Sequence, residues 1–477
     1  MQRVIPGPAH PLYTAALTRD LEAQASAGLP DHTLMQRAGL VTARLALAVA
    51  PHAQHWWIAC GPGNNGGDGL EAALHLRQWG KAPVVTWLAG PGTAPREARA
   101  SHARAEAAGV QFATEPPTDF DGAIDALLGT GAARAPEGRL AQWIDRLNSL
   151  ERPVLAVDLP SGLHADTGTT PGACVRATHT LSLLTLKLGL YTAHGRDACG
   201  QIWLDTLGVV LAGPHAAARL NPRPAALPRQ HASHKGSYGD VAVIGGAPGM
   251  TGAALLAGRA ALHHGAGRVY VALLDGTHPG VDSAQPELML RPARALDPQG
   301  LTIVAGCGGD GAIRAELPRL LSLTPKLILD ADALNAIAVD PQLQGLLRAR
   351  RSHGHTTVLT PHPLEAARLL SCTTADIQQD RPQAAARLSQ QTGACVVLKG
   401  SGTIISDPES RLTVNPTGNA RLASAGTGDV LAGLIAARVA QGEEAYDAAC
   451  AAVWLHGAAA DTWPADKSLT AGTLARV

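Results

Sequence analysis

HWWIACGPGNNGGDGLEAALHLRQWG, residues 55–80, sets out the plan of the chain in one unit. An apolar run, HWWIA, has the length and bulk of a buried strand. CGPGNNGGDG, residues 60–69, has too many glycines to be anything but a tight turn, and LEAALHLRQWG has the Ala/Leu content of a helix. The theme of short apolar run, Gly-rich turn and Ala/Leu-rich stretch recurs from end to end, which predicts parallel sheets covered by helices, an α/β protein. The expected strands are 55–59, 82–88, 122–125, 154–158 and 180–183 in the first half. In the second they are 240–244, 267–273, 302–305, 327–329, 357–359 and 395–398. Ligands in such sheets bind beyond the carboxyl ends of the strands, so the residues that follow these runs are the candidates for function.

The chain has 477 residues, 46% of them hydrophobic and 16% charged, enough for two domains with separate cores. Residues 211–232 carry several prolines and no apolar period, as a linker does, and the expected domains are 1–215 and 226–477. Lys plus Arg and Asp plus Glu both number 39, so there is no global charge to attract nucleic acid or an anionic membrane. No apolar run reaches 18 residues and the opening MQRVIPGPAHPLY lacks an apolar leader, which makes a cytoplasmic protein without a membrane partner the expectation. Seven scattered cysteines with no CxxC pair suit neither a disulfide framework nor a zinc site. Aromatics reach only 3%, so helices should pack closely on small side chains. Lysine is confined to Lys81, Lys187, Lys235, Lys326, Lys399 and Lys467, and a lysine at a strand end therefore carries weight.

Three strand ends in the first half offer oxygen. Asn64, Asn65 and Asp68 follow the first strand. Asp125 closes another ahead of Gly129, Thr130 and Gly131, and Asp158 and Ser161 close a third. Each carboxylate alone could cap a turn or helix. Together, Asn65, Asp125 and Ser161 form an oxygen-only set suited to a hard cation rather than zinc or copper. Lys187, after a further apolar run, either neutralises a phosphate or carboxylate or snorkels to the surface.

GPGNNGGDG (61–69), DALLGTG (125–131), VDLPSG (157–162) and TLKLGLY (185–191) together resemble the NAD(P)H-hydrate epimerase domain, over most of residues 10–210. The resemblance implies a Rossmann-like three-layer αβα fold. It places the hydrated dinucleotide on Asn64, Asn65, Gly66, Gly67 and Asp68 and on Gly129, Thr130, Gly131, Ala132, Ala133 and Arg134. It also implies a potassium ion on Asn65, Asp125 and Ser161, with Asp158 at the damaged nicotinamide ring. Asp158 is the expected proton carrier, because the hemiaminal-like ring carbon needs only an acid/base to scramble its configuration.

In the second half, residues 245–252 form a Gly-rich turn after a strand, but the spacing is GGxxGxxG and no acid ends the next strand before Asp275, unlike a dinucleotide-binding fingerprint. The strongest signal lies in residues 415–442. Gly426, Thr427 and Gly428 precede a helix with apolar positions Val430, Leu431, Leu434, Ile435 and Val439, a ready anion hole. Asp429 there either takes a proton from an acceptor hydroxyl or is a first-turn residue favoured by the helix dipole. Lys399 ends a strand before the turn Gly400–Thr403, which suits a nucleotide. His362 lies between Pro361 and Pro363, with Glu365 at a helix start. Asp330 and Asp332 either organise magnesium or cap the next helix.

HKGSYG (234–239), GGAPGMTGAA (245–254), DADALN (330–335), TPHPLEA (360–366), LKGSGT (398–403) and AGTGDVLAG (425–433) resemble the ADP-dependent NAD(P)H-hydrate dehydratase, from residue 226 to about residue 475. The resemblance implies a ribokinase-like α/β domain that uses ADP and magnesium. Ala253, Gly308, His362 and Asp429 would hold the hydrate; Lys399, Gly400, Ser401, Gly402, Thr403 and Gly428 would hold the AMP part of the nucleotide. The family's GPGLG turn appears here as Gly306, Cys307, Gly308, Gly309 and Asp310. Together the two halves imply a homo-oligomeric repair enzyme that epimerises the R and S hydrates NADHX and NADPHX and dehydrates the S form, giving AMP and phosphate. The alternative is a ribokinase-like small-molecule kinase with a non-catalytic dinucleotide-binding module.

Overall fold

A computed structural model describes residues 1–90, 92–131, 134–149, 151–210, 216–276 and 280–477. The chain forms two compact units, one of residues 1–5 and 10–219, the other of residues 6–9 and 220–477.

The first unit is built on an eight-stranded sheet in the order Gln2–Arg3, Gln201–Asp205, His179–Leu183, Val154–Val157, Gly122–Ala126, His55–Cys60, Ala82–Trp87, Gln111–Ala113. Every pairing is parallel except that of the first two strands. All five expected strands are present. The three additional ones are two or three residues long or lie toward the edge, where burial no longer demands an apolar run. Alternation along His55–Cys60 shows why helices are needed on both faces. Trp56, Ile58 and Cys60 enter one core with Leu70, Leu74 and Ala46, whereas Trp57 and Ala59 enter the other with Trp143 and Ile144. Three layers result. The helix after this strand spans Asn64–Gln78, so it starts six residues earlier than the glycines suggested. Gly66, Gly67 and Gly69 are buried within its first turns, where the lack of a side chain allows close packing to override poor helix propensity.

The second unit carries the strand order Met289–Leu290, Arg268–Leu273, Asp240–Gly245, Thr302–Ala305, Lys326–Leu329, Thr356–Leu359, Cys395–Leu398, Ile404–Ser406, Leu412–Val414. It is parallel through Cys395–Leu398, and the last two strands turn back antiparallel. Val241 and Val243 face helices Thr251–His263, Thr427–Ala440 and Ala445–Asp461; Ala242 and Ile244 face the opposite helical layer. Within the stretch expected to be a linker, Ala218–Leu220 is a strand, with Ala218 and Leu220 buried on either side of Arg219. A three-residue alternation is too short to stand out among prolines.

The small-residue helix packing expected from composition is seen where Thr251–His263 crosses Thr427–Ala440. A Cβ on Gly433 would lie 2.1 Å from the Ala257 carbonyl oxygen, so the crossing distance requires glycine. Gly433→Ala should lower stability by about 1–3 kcal/mol, read as a lower urea midpoint for the second unit.

Candidate functional site

Each sheet reverses its direction of growth once. In the first unit the chain moves outward from His55–Cys60 to one edge, then restarts at Gly122–Ala126 and grows the other way. The loops beyond these two strands part and leave a crevice. Gly61 and Leu127 approach so closely there that a Cβ on Gly61 would lie 1.7 Å from the Leu127 carbonyl oxygen.

A cavity of about 180 Å³ opens at this place, and Asn64, Asn65, Asp68, Gly129, Thr130 and Asp158 all line it. Gly66 and Gly67 instead serve packing: their missing side chains make room for the Gly61 carbonyl and the Met35 thioether. Gly131 and Arg134 are exposed outside the cavity lining, and Ala132 and Ala133 lie outside the described residues. Sequence reasoning missed Thr18, Glu22, His32, Met35 and Glu97, which line the same cavity from elements with no glycine signature.

Lys187 is not a snorkelling surface residue. Its side chain is 1% exposed and its ammonium is paired with Asp158. It also donates to the Leu183 carbonyl at 2.8 Å and the Ser182 hydroxyl at 3.4 Å. Asp158 has φ +69, uncommon for a residue with a side chain, and is held there by its N–H to Leu181 O at 2.8 Å and by the Leu183 N–H to its carboxylate at 3.2 Å. The opposite condition holds at Asp68, where burial, then Asp158 and the glutamates Glu22, Glu97 and Glu71, push the carboxyl well above its usual range.

Asn65, Asp125 and Ser161 meet through one loop. Ser161 donates to Asp125 from its hydroxyl at 2.6 Å and its N–H at 2.8 Å, Leu128 N–H donates to the Ser161 hydroxyl at 2.8 Å, and the Asn65 amide donates to Leu128 O at 3.0 Å. Asp125 is fully buried, and burial outweighs these donors to push it up to about 6.

In the second unit the reversal falls between Asp240–Gly245 and Thr302–Ala305. Asp330, Lys399, Gly428 and Asp429 come together beyond the strand ends. Lys399 Nζ is 2.7 Å from Asp330 Oδ1, which also accepts from the Thr360 hydroxyl at 2.7 Å. A Cβ on Gly428 would lie 3.2 Å from Lys399 Nζ and 3.9 Å from Asp330 Oδ2. Asp330 therefore does not cap: it stands at the head of Ala331–Ala338 without a side-chain cap bond. Asp332 accepts the N–H of Asp310 at 2.9 Å. Asp429 occupies the first turn of Thr427–Ala440, and burial, then Asp330, push it up to about 6.

Gly308 and Ala253 are neighbours, with a Cβ on Gly308 only 2.9 Å from that of Ala253. In the altered turn Gly306 and Gly308 have φ +113 and +57, and Asp310 takes φ +43 at its last position. Cys307 is buried, and its thiol lies within 4.8 Å of ligand atoms on Asp330 and Asp429. His362 caps Pro363–Leu370, its ring accepting from Leu364 and Glu365 N–H while Glu365 accepts the His362 N–H at 2.7 Å. Burial, then Lys399, keep this histidine below its ordinary pKa. Gly400, Ser401, Gly402 and Thr403 form the turn between Cys395–Leu398 and Ile404–Ser406. Beneath it, the buried guanidinium of Arg381 donates to Leu398 O and Lys399 O at 3.3 and 3.2 Å.

Removing one partner of a buried pair leaves the other charge uncompensated. Lys187→Met should therefore cost the first unit about 3–5 kcal/mol, measured by urea unfolding.

Comparison with known proteins accounts for both halves. The family described as NAD(P)H-hydrate dehydratase matches residues 241–476, and that described as YjeF-related protein N-terminus matches residues 31–189. The bifunctional NAD(P)H-hydrate repair enzyme Nnr of Escherichia coli is 39% identical over 91% of this chain and 85% of its own length. That of Leishmania braziliensis is 36% identical over 94% of this chain and 89% of its own length. Among solved structures, a Bacillus subtilis ADP/ATP-dependent NAD(P)H-hydrate dehydratase is 29% identical, with a TM-score of 0.43, and the match covers 52% of this chain and 90% of that one. With two reversing sheets, each carrying a carboxylate site at its strand ends, and with likeness running through nearly its full length, the chain belongs to the family of bifunctional NAD(P)H-hydrate repair enzymes.

Proposed function

We propose that the first unit interconverts the R and S hydrates of NADH and NADPH, and that the second dehydrates the S form with ADP as phosphoryl donor, releasing AMP and phosphate. The observation that carries the second part is the placement of a carboxylate, Asp429, in the first turn of a helix whose Gly428 leaves room for a phosphoryl group beside Lys399. Asp429 takes the proton of the ring hydroxyl as that oxygen attacks the terminal phosphate of ADP. Its environment supports the role, since a carboxyl raised to about 6 is a stronger base than an ordinary one. The N–H groups at the start of Thr427–Ala440 stabilise charge on the transferring group. The ring nitrogen's lone pair then expels phosphate, and loss of a proton from the adjacent ring carbon restores the dihydronicotinamide. Ala253, Gly308 and His362 hold the hydrate, and Lys399, Gly400, Ser401, Gly402 and Thr403 with Gly428 hold the AMP part.

The donor set at Asp330 fits magnesium riding on the nucleotide's phosphates. Oδ1 is engaged by Lys399 and Thr360, which leaves Oδ2, on the Gly428 side, for a hard cation. Magnesium when bound would neutralise phosphate charge.

In the first unit Asp158 is the proton carrier, held by Lys187, and Asn64, Asn65 and Asp68 with Gly129 and Thr130 hold the dinucleotide in the cavity they line. Potassium fits at Asn65, Asp125 and Ser161. Asp125 is an anionic oxygen buried with no side-chain cation among its hydrogen-bond partners, and the Asn65 amide nitrogen is used on Leu128, which frees its carbonyl oxygen. When bound, potassium would supply the missing positive charge. The protein is read as a cytoplasmic homo-oligomer on the family resemblance; no helix among the described residues is long and apolar enough to cross a membrane.

Two measurements test this. Asp429→Ala should abolish ADP-dependent recovery of dihydronicotinamide absorbance, a loss of about 10²-fold or more, while the R and S hydrates still interconvert on chromatography. Stable phosphorylated hydrate in place of recovery would favour a kinase. Separately, KCl should raise the melting midpoint of the first unit by about 2–4 °C per kcal/mol of binding over choline chloride at equal ionic strength, and Asp125→Asn should remove the difference.

A further inference from the structure

The first unit's cavity holds two aspartates in opposite circumstances. Asp158 touches a buried ammonium, and Asp68 has no ion pair or hydrogen bond to its carboxyl among the described residues. They enter from different strand ends. Asp158 follows Val154–Val157 and Asp68 lies in the helix after His55–Cys60, while Gly122–Ala126 runs between these strands. Two inter-strand spacings set the two strand ends about 10 Å apart, and both side chains line the one cavity.

Resting on the epimerase reading above, we propose that Asp68 is the general acid and Asp158 the general base of the epimerisation, and that configuration is lost by departure of the ring hydroxyl rather than by opening of the ring. Asp68 gives its proton to the hydroxyl oxygen, the carbon–oxygen bond breaks, and water leaves as the ring nitrogen's lone pair forms a carbon–nitrogen double bond. Water then adds to the other face of that carbon, and Asp158 takes its proton. The net reaction consumes one water and releases one, and transfer of the proton from Asp158 back to Asp68 through solvent resets the site. In the reverse direction the roles exchange, as microscopic reversibility requires: protonated Asp158 gives its proton to the hydroxyl oxygen and Asp68 takes one from the water that adds.

The surroundings agree with this division. Burial and the carboxylates of Asp158, Glu22, Glu97 and Glu71 favour the neutral form of Asp68, whereas Asp158 is paired with the buried Lys187 ammonium. Glu22 and Glu97 line the cavity too, but Glu22 is exposed at its rim, and Lys187 and Arg19 offset its surroundings. Asp68 is the cavity carboxyl whose largest influences after burial are all carboxylates.

The test follows the purified S hydrate of NADH turning into the R hydrate on the full chain, without ADP, in water enriched in ¹⁸O. Each inversion should place one solvent oxygen on the ring carbon. Asp68→Asn, which can still hydrogen-bond but has no proton to give at this pKa, should lower kcat by about 10²–10⁴-fold with KM changed less than about threefold. Asp68→Glu should restore part of kcat. ADP-dependent dehydration of the S hydrate by the same variants should match the parent protein and reports an intact fold. Inversion without ¹⁸O uptake, or an Asp68→Asn protein that keeps its kcat or loses only KM, would overturn the proposal. If Asp158→Asn alone is inactive, only the acid is misassigned. If both variants and the parent invert no faster than solvent, the epimerase reading itself fails.

Discussion

Two of the chain's six lysines, one buried and one half-buried, are each fastened to an aspartate just beyond a parallel strand, and both sites are arranged around these pairs. Lys187 holds Asp158 and Lys399 holds Asp330. Removing either charge from water costs several kcal/mol, and a close partner with further hydrogen bonds only about recovers it. The carbonyl and hydroxyl partners of Lys187 and the Thr360 hydroxyl on Asp330 are those further bonds. Such a pair adds little to stability, but it fixes the direction of a carboxylate where a ligand must meet it. A lysine does this with a compact charge that reaches the carboxylate end-on; the planar fork of arginine would demand a wider site. The buried arginines Arg350 and Arg381 work differently, each donating to backbone carbonyls and side-chain oxygens rather than to a carboxylate.

The sheets decide where these pairs can be useful. A parallel sheet buried on both faces exposes functional groups only at its strand ends, and a reversal of strand order separates two neighbouring loops. In the first unit the loops are Gly61–Gly63 with its helix and Leu127–Gly131; in the second they follow Gly245 and Ala305. A side chain on Gly61 would meet the Leu127 carbonyl, whereas one on Gly428 would fill the space beside Lys399. The glycines that look alike in the sequence therefore divide into one that leaves space beside a site lysine and those, such as Gly61, Gly66, Gly67 and Gly433, that let helices and loops pack.

That division explains what could be read in advance. Strand–turn–helix units were legible because a strand buried on both faces must be a continuous apolar run, and all eleven expected strands form. Short edge strands such as Gln111–Ala113 were not, since they need neither length nor apolarity. Asp68, Asp125 and Asp158 were visible as carboxylates following strands and Asp429 as one at a helix start, but not their partners. Nothing in the sequence spacing says that Lys187 turns inward onto Asp158 or that Asp330 takes Lys399 rather than capping its helix. Glu22 and Glu97 come from helices distant in sequence, Ala15–Ala27 and Arg96–Ala107, and only the fold brings them to the cavity. Arg134 and Gly131, beside good candidates in sequence, are exposed and stay outside it.

The two sites also differ in a way the chemistry of the hydrate explains. In both, a ring carbon must lose an oxygen substituent to the push of the ring nitrogen, and hydroxide is a poor leaving group. A site without a phosphoryl donor has to protonate the hydroxyl, which requires a carboxyl that stays neutral, and Asp68 among like charges is such a group. A site with a nucleotide can attach phosphate instead, which requires a carboxylate that removes the hydroxyl proton and a helix terminus that tolerates the added negative charge, as at Asp429 and Gly428. Once the oxygen has left, the same electron-poor ring carbon can take up water or pass a neighbouring proton to a base. An epimerising site must favour the first, and a carboxylate held by Lys187 beside an open cavity is suited to delivering water. A dehydrating site must favour the second, and phosphate, leaving as a weaker nucleophile than hydroxide, allows it.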